Sequence, residues 1–165
     1  MGIKLQVAKA DEAAAIAALR TATAEKLTLQ YGPGRWSGET SEKGVLFDMR
    51  HAKVYVARKG KKPIATLTLT TRKPWAIDRK YFKKSDRPIY LAAMAVAPEM
   101  QRRGIGRLCL EAACAIAKKW LGDAIRLDAF DAEAGAGEFY AKCGWREVGR
   151  AAYRGCPLIY YERLL

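Results

Sequence analysis

The chain has 165 residues, enough for a single domain, 1–165, with a sound core. Half of them are hydrophobic and 28% are charged, a globular composition, and no apolar run approaches the roughly 20 residues that span a bilayer. Thirty Lys and Arg against 17 Asp and Glu give a formal charge of +13, which calls for an anionic partner without naming it. The opening MGIKLQVAKADEAAA carries Lys4, Lys9, Asp11 and Glu12 and lacks the apolar block of a secretory signal, so a cytoplasmic location is expected. Cys109, Cys114, Cys143 and Cys156 form no C-x-x-C pair and His51 is the single histidine. Neither a metal site nor a disulfide framework is expected.

Residues 3–8 alternate in polarity and predict an edge strand. Asp11 to about Lys26 is Ala-rich with Ile16 and Leu19 at helical spacing, and Asp11 is placed to cap it. Tyr31 to Gly44 is turn-rich, and a short helix follows Thr40 or Ser41 to about His51. KVYVARK and PIATLTLTT read as a hairpin turning at Gly60. Residues 73–88 make a long loop, a length that is often functional. IYLAAMAVA, Ile89 to Ala97, is nearly all apolar and predicts a strand covered on both faces. A helix follows with Ile105, Leu108, Cys109, Ala112 and Ile116 on one stripe. AIRLDAF is the next strand, so strand, helix and strand imply a parallel crossover. AEAGAGEFYAKCGW gives a short helix with Gly144 past its end, and REVGRAAY and LIYYERLL give two closing strands that offer pairing in a homodimer. The fold class is α/β with a mixed sheet.

The segment between Met94 and Trp120 carries the chemistry. An apolar strand ends at a proline, and Gln101, Arg102, Arg103, Gly104, Ile105, Gly106 and Arg107 lead at once into a helix. The first N–H groups of a helix lack internal partners and sit at the positive end of its dipole. Glycines open the backbone there, and arginines fork onto phosphate oxygens, so the loop suits a phosphate. It is not a dinucleotide fingerprint, because Cys109 stands where the third glycine belongs. A nucleoside-triphosphate loop fails too, since no Gly-Lys-Ser or Gly-Lys-Thr follows.

MAVAPEMQRRGIGRLCLEAA resembles the acyl-CoA-binding motif of the GNAT superfamily of N-acyltransferases, Q/R-x-x-G-x-G/A, here Gln101 to Gly106. EFYAKCGW resembles that family's FY-x-x-x-GF segment, with Trp145 in place of Phe. The resemblance runs from about residue 53 to the C-terminus. It implies a mixed, largely antiparallel sheet with a central splayed parallel strand pair flanked by helices. It implies direct transfer of acetyl from acetyl-CoA, a co-substrate, to the amine of a small molecule or peptide in a ternary complex. The backbone N–H groups of Gln101 to Arg107 would hold the pyrophosphate, and Met94 and Val96 would pair with the pantetheine arm. The N–H of Met94 or Ala95 would polarise the thioester carbonyl, as in an oxyanion hole. Tyr140 matches the tyrosine that protonates the departing thiolate. Asp131 stands where many relatives carry Asn near the arm; it bonds that arm or caps a helix at Ala132.

Many family members carry a Glu on the strand before the loop, but IYLAAMAV has no acid. Glu39, Glu42, Asp48, Asp78, Asp86 and His51 remain as candidate bases, alongside a site that takes the free amine from solution. Tyr31, Trp36, Trp75, Tyr81 and Phe82 either wall an acceptor pocket or anchor long loops. Two other readings stand beside the transferase: a nucleic-acid-binding module driven by charge, and a non-catalytic CoA sensor. No helix-turn-helix, finger or RNP signature accompanies the charge, so neither a nucleic-acid nor a membrane partner is expected.

Overall fold

A computed structural model of the chain describes residues 2–165. Among them the strands are β1 (Gln6–Val7), β2 (Lys53–Lys59), β3 (Lys62–Thr70), β4 (Pro88–Val96), β5 (Ala124–Phe130), β6 (Arg146–Tyr153) and β7 (Cys156–Leu164). The helices are α1 (Ala13–Tyr31), α2 (Glu42–His51), α3 (Ile105–Lys119) and α4 (Gly137–Lys142). The strands form one mixed sheet in the order β1-β2-β3-β4-β5-β7-β6. β4 and β5 are parallel, while β1/β2, β2/β3, β5/β7 and β6/β7 are antiparallel. None of the described helices is long and apolar enough to cross a membrane. The chain divides into two compact units, one comprising residues up to Thr70 with Ala93–Ala113, the other Thr71–Ala92 with Cys114–Leu165.

In the first unit, β2 and β3 bury almost every residue between Val54 and Leu69 apart from the turn, which closes at Gly60 with φ 63°. Ala13, Ile16 and Ala17 of α1 pack with Val45 of α2 and Val54 of β2. Ser41 caps α2 by accepting from the Gly44 N–H at 3.0 Å. The predicted strand over 3–8 shortens to two residues for a local reason. Gln6 and Val7 pair with Val56 and Tyr55, and the next step along β2 meets its register shift at Ala57/Arg58. Arg58 there turns to Gln6 Oε1 (2.7 Å) and Glu12 Oε2 (2.7 Å). Glu12 also accepts the Lys9 N–H at 2.8 Å within the 3-10 turn Ala10–Glu12, and α1 starts after it without a side-chain cap, so Asp11, which is exposed, does not take the capping role expected of it. α1 runs past Lys26 to Tyr31 and stops at Gly32, φ 82°.

In the second unit the parallel register pairs Pro88, Ile89 and Tyr90 with Ala124, Ile125 and Arg126. β5 pairs along its whole length with β7, and β6 returns on β7 through Arg154 and Gly155. The long loop is ordered by its own side chains. Lys73 Nζ donates to the carbonyls of Pro74 (2.9 Å) and Ile77 (2.6 Å), and Asp78 accepts the Lys80 N–H (3.0 Å). Ile77 and Phe82 drop into a cluster with Tyr90, Leu158 and Tyr160. Arg126 and Glu162, 4% and 1% exposed, form a buried pair at 2.9 Å, and Arg126 also reaches the Lys83 carbonyl at 2.6 Å.

Two burial expectations change. β4 is buried only from Ile89 to Leu91; Ala92 and Ala93 are exposed and Met94 to Val96 half-buried. Runs of small apolar residues state hydrophobicity, not cover. On α3 the buried side chains are Ile105, Cys109, Leu110, Ala113, Cys114 and Ala117, with Leu108, Ala112 and Ile116 half-buried, so the inner face is rotated from the predicted stripe.

Candidate functional site

β4 gives way to a 3-10 turn at Pro98–Met100, whose Met100 side chain is buried. Gln101 then fixes the start of the loop. Its Oε1 accepts from Lys26 Nζ of α1 at 2.7 Å, and its Nε2 donates to the Val96 carbonyl at 3.0 Å. The Gln101 side chain is therefore spent on holding the loop in place. Arg102 and Gly104 adopt left-handed φ of 60° and 81°, the conformation for which Gly104 carries no penalty. Nothing lies within 4 Å of the position a Cβ on Gly104 would take. Ile105, 1% exposed, plugs the helix into the core, and the Leu108 N–H makes the first turn's bond back to the Gly104 carbonyl at 3.1 Å. The amides of residues before Leu108 thus face the loop end of a 15-residue helix. Arg102, Arg103 and Arg107 are exposed around it, and Gly106 is half-buried. Cys109, one turn on, is inert: burial pushes its thiol up to about 11.

Met94, Ala95 and Val96 lie in the same unit as this loop, on the exposed half of β4. The residue just before them, Ala93, has φ 51°. A left-handed alanine within a strand is strained, and such strain persists where function holds it. The sequence gives no warning of it, because an alanine gives no sign of left-handed backbone.

Tyr140 sits on α4 in the second unit, 6% exposed. Its ring is 5.3 Å from Phe139, 5.8 Å from Tyr161 and 5.9 Å from Trp145, centroid to centroid. Burial, with the charges of Asp128 and Cys143, holds its hydroxyl well above the usual phenol range. Trp145 fills the position of the family's Phe, and its indole N–H is buried without a hydrogen bond.

Asp131 does not cap a helix. α4 starts at Gly137, after Ala136, and Asp131 Oδ1 instead faces Arg150 Nη1 at 3.4 Å. Asp48 is paired with Arg20 at 2.9 Å, Asp78 caps its own turn, and Glu39, Glu42 and Asp86 are exposed. His51 ends α2 with its ring 4.3 Å from Phe47. Of the loop aromatics, Tyr81 and Phe82 pack on Tyr160, and Trp36 donates to the Gly32 carbonyl at 3.0 Å. Trp75 stands 89% exposed beside a cleft of about 470 Å³ that Asp78, Tyr153 and Tyr160 also line. The residue that sequence reasoning passed over is Asp128, half-buried in β5 opposite Tyr160. Burial raises its carboxyl above the ordinary range. The available signal was an acid two residues from an arginine in a strand whose other residues are apolar.

Residues 20–145 match the model of the acetyltransferase (GNAT) family. No curated protein matches the chain. Among solved structures, a GNAT-family acetyltransferase from Streptococcus agalactiae is similar at a TM-score of 0.78 and 15% identity, covering 100% of this chain and 96% of that one. A GCN5-related N-acetyltransferase from Rhodopseudomonas palustris is similar at 0.74 and 20% identity, covering 100% and 97%. The structure of yncA from Salmonella typhimurium, solved with its cofactor acetyl-CoA, is similar at 0.69 and 12% identity, covering 99% and 94%. The matched residues take in the Gln101–Arg107 loop and Tyr140, and the chain belongs to the GNAT acetyltransferase family.

Proposed function

We propose that residues 1–165 form one catalytic domain that moves the acetyl group of acetyl-CoA to an amine by direct transfer. The observation that carries this is the loop. Open space over a left-handed Gly104, exposed arginines and the start of a long helix fit a pyrophosphate. The fit is to the anionic part of acetyl-CoA, which supplies an acyl thioester when bound. Backbone N–H groups from Arg102 to Arg107 would hold the phosphates, with Gln101 positioning them through Lys26 and Val96. Met94 and Val96 would meet the amides of the pantetheine arm, and Met94 or Ala95 would offer an N–H to the carbonyl oxygen.

In the transfer the acceptor nitrogen forms a bond to the carbonyl carbon as the carbon–sulfur bond breaks. Tyr140 would give its hydroxyl proton to the departing sulfur, and the proton shed by the newly acylated nitrogen would return to the Tyr140 phenolate. Its raised pKa keeps the proton in place across the working range. Asp131, engaged with Arg150, would be available to the arm only by sharing that contact.

Thermal melting and calorimetry with acetyl-CoA, CoA, ATP, NAD and a short DNA duplex at two salt concentrations test the reading. A ligand at 100 times its Kd adds about 2.7 kcal/mol, hence a shift of about 5–11 °C at this size. A shift with acetyl-CoA and CoA alone is expected. A shift with DNA alone, lost at high salt, would replace the transferase with a charge-driven nucleic-acid module.

A further inference from the structure

β4 carries no acid to take the acceptor's proton. Five carboxylates among the described residues are recessed from solvent: Glu12, Asp48, Asp128, Asp131 and Glu162. Four of them face an arginine, with Arg58 on Glu12, Arg20 on Asp48, Arg150 on Asp131 and Arg126 on Glu162. Asp128 is the exception. Its nearest cation along the strand, Arg126, lies two residues back on the same face, but it is committed to Glu162 and to the Lys83 carbonyl. A recessed carboxylate without a cation is costly to keep ionised, and it is the arrangement expected of a group that must gain and lose a proton.

The surroundings of Asp128 support that task. Tyr160 stands directly across the ladder, its hydroxyl turned to the Ala76 carbonyl and its ring packed between Tyr81 and Phe82. The titratable groups on this face are Tyr160 and Glu162 on β7, Arg126 on β5, and Asp78 and Tyr81 on the loop over Tyr160, while Tyr140 of α4 packs on Tyr161, which alternates to the opposite face. Both Tyr140 and Tyr160 feel the Asp128 charge. Tyr160, across the ladder from Asp128, also lines the cleft beside Trp75 and Asp78, so the carboxylate stands next to the wall of a pocket open to an acceptor, in the same compact unit as Tyr140.

We infer that Asp128 is the general base of the transfer, taking the proton that the acceptor ammonium must lose before its nitrogen attacks. This rests on the acyl-transfer reading above. The proton leaves the ammonium for the carboxylate, and the neutral amine then bonds to the acyl carbon. The carboxylic acid so formed returns its proton to water. Burial, which raises the Asp128 carboxyl, makes it a better acceptor than an exposed aspartate.

The test measures kcat/KM against pH for acetyl-CoA with benzylamine, spermidine and an alanyl tripeptide, in wild type, Asp128→Asn and Asp128→Glu. The expected result is an acidic limb in wild type and a loss of about 100-fold or more in Asp128→Asn with that limb abolished. Asp128→Glu recovers part of the rate, and the Kd for CoA changes less than twofold in both variants. Asp128→Asn enzyme within threefold of wild type, with the limb intact, overturns the assignment. So does a wild-type profile that simply follows the free-amine fraction up to the amine's own pKa. If wild type binds acetyl-CoA and acetylates none of the three amines, the transfer reading to such amines fails and the role of Asp128 falls with it.

Discussion

Replacing Tyr140 with Phe removes one oxygen and leaves the ring. The contacts with Phe139, Tyr161 and Trp145, at 5.3–5.9 Å between centroids, are retained. The stability cost is then at most that of a hydrogen bond, about 1.5 kcal/mol or less, which lowers Tm by no more than about 6 °C for a domain of this size. The catalytic cost is of a different order. A general acid contributes about 10²–10⁴-fold, or about 3–5 kcal/mol of barrier. The hydroxyl's pKa is raised by burial, so wild type should keep its acid protonated and show no Tyr140-dependent alkaline fall below pH 10. The Tyr140→Phe deficit should accordingly be uniform from pH 6 to 10. Thiol release from acetyl-CoA measures kcat, calorimetry gives the Kd for CoA, and melting gives the stability. A kcat within threefold of wild type, beside a lowered Tm, would refute the acid role and leave Tyr140 as a packing residue.

Gly104→Ala places a methyl in open space but holds it at φ 81°, so the fold should lose only about 1–2 kcal/mol while the acetyl-CoA Kd rises at least tenfold; an unchanged Kd in calorimetry would move the phosphates off this loop. Arg126→Met strands the Glu162 carboxylate, 1% exposed with only Arg146 at 3.6 Å, and should cost about 3–5 kcal/mol in urea unfolding. Adding Glu162→Leu should recover most of that cost, and a double variant less stable than Arg126→Met would contradict the buried-charge account. Glu12, held down to about 2 mainly by its bonds from Arg58, contributes stability that is full above about pH 4.5 and lost as pH falls toward 2. Glu12→Gln should flatten that part of the acid-unfolding curve, and an unaltered curve would contradict the assignment.

What could be read from the sequence was local. The hairpin at Gly60, the Ser41 cap and the loop at the mouth of α3 each depend on residues close along the chain, where backbone freedom and side-chain reach are properties of the residues themselves. What could not be read depended on competition between distant partners. Arg126 and Asp128 are two apart on one strand face, and on spacing alone they make an ion pair. Glu162, across the ladder from Arg126, takes the guanidinium instead, and Asp128 is left opposite a tyrosine. The same competition undid the Asp131 cap, where Arg150, 19 residues away, replaces the helix start that the sequence placed next door. Ala93 failed for the opposite reason, because nothing in an alanine reports the strain its surroundings impose. The loop proposed for the phosphates could thus be picked out by pattern, since the chemistry asked of it is carried by backbone and glycine. The proton chemistry could not, because whether a carboxylate stays free depends on which arginine reaches it first, and only the fold decides that. The proposed binding residues in this chain are therefore tested most directly by changing backbone freedom at Gly104. The proton carriers are tested by changing who pairs with whom, which is why freeing Arg126 through Glu162→Leu should draw it toward Asp128 and shift the acidic limb of kcat/KM to lower pH.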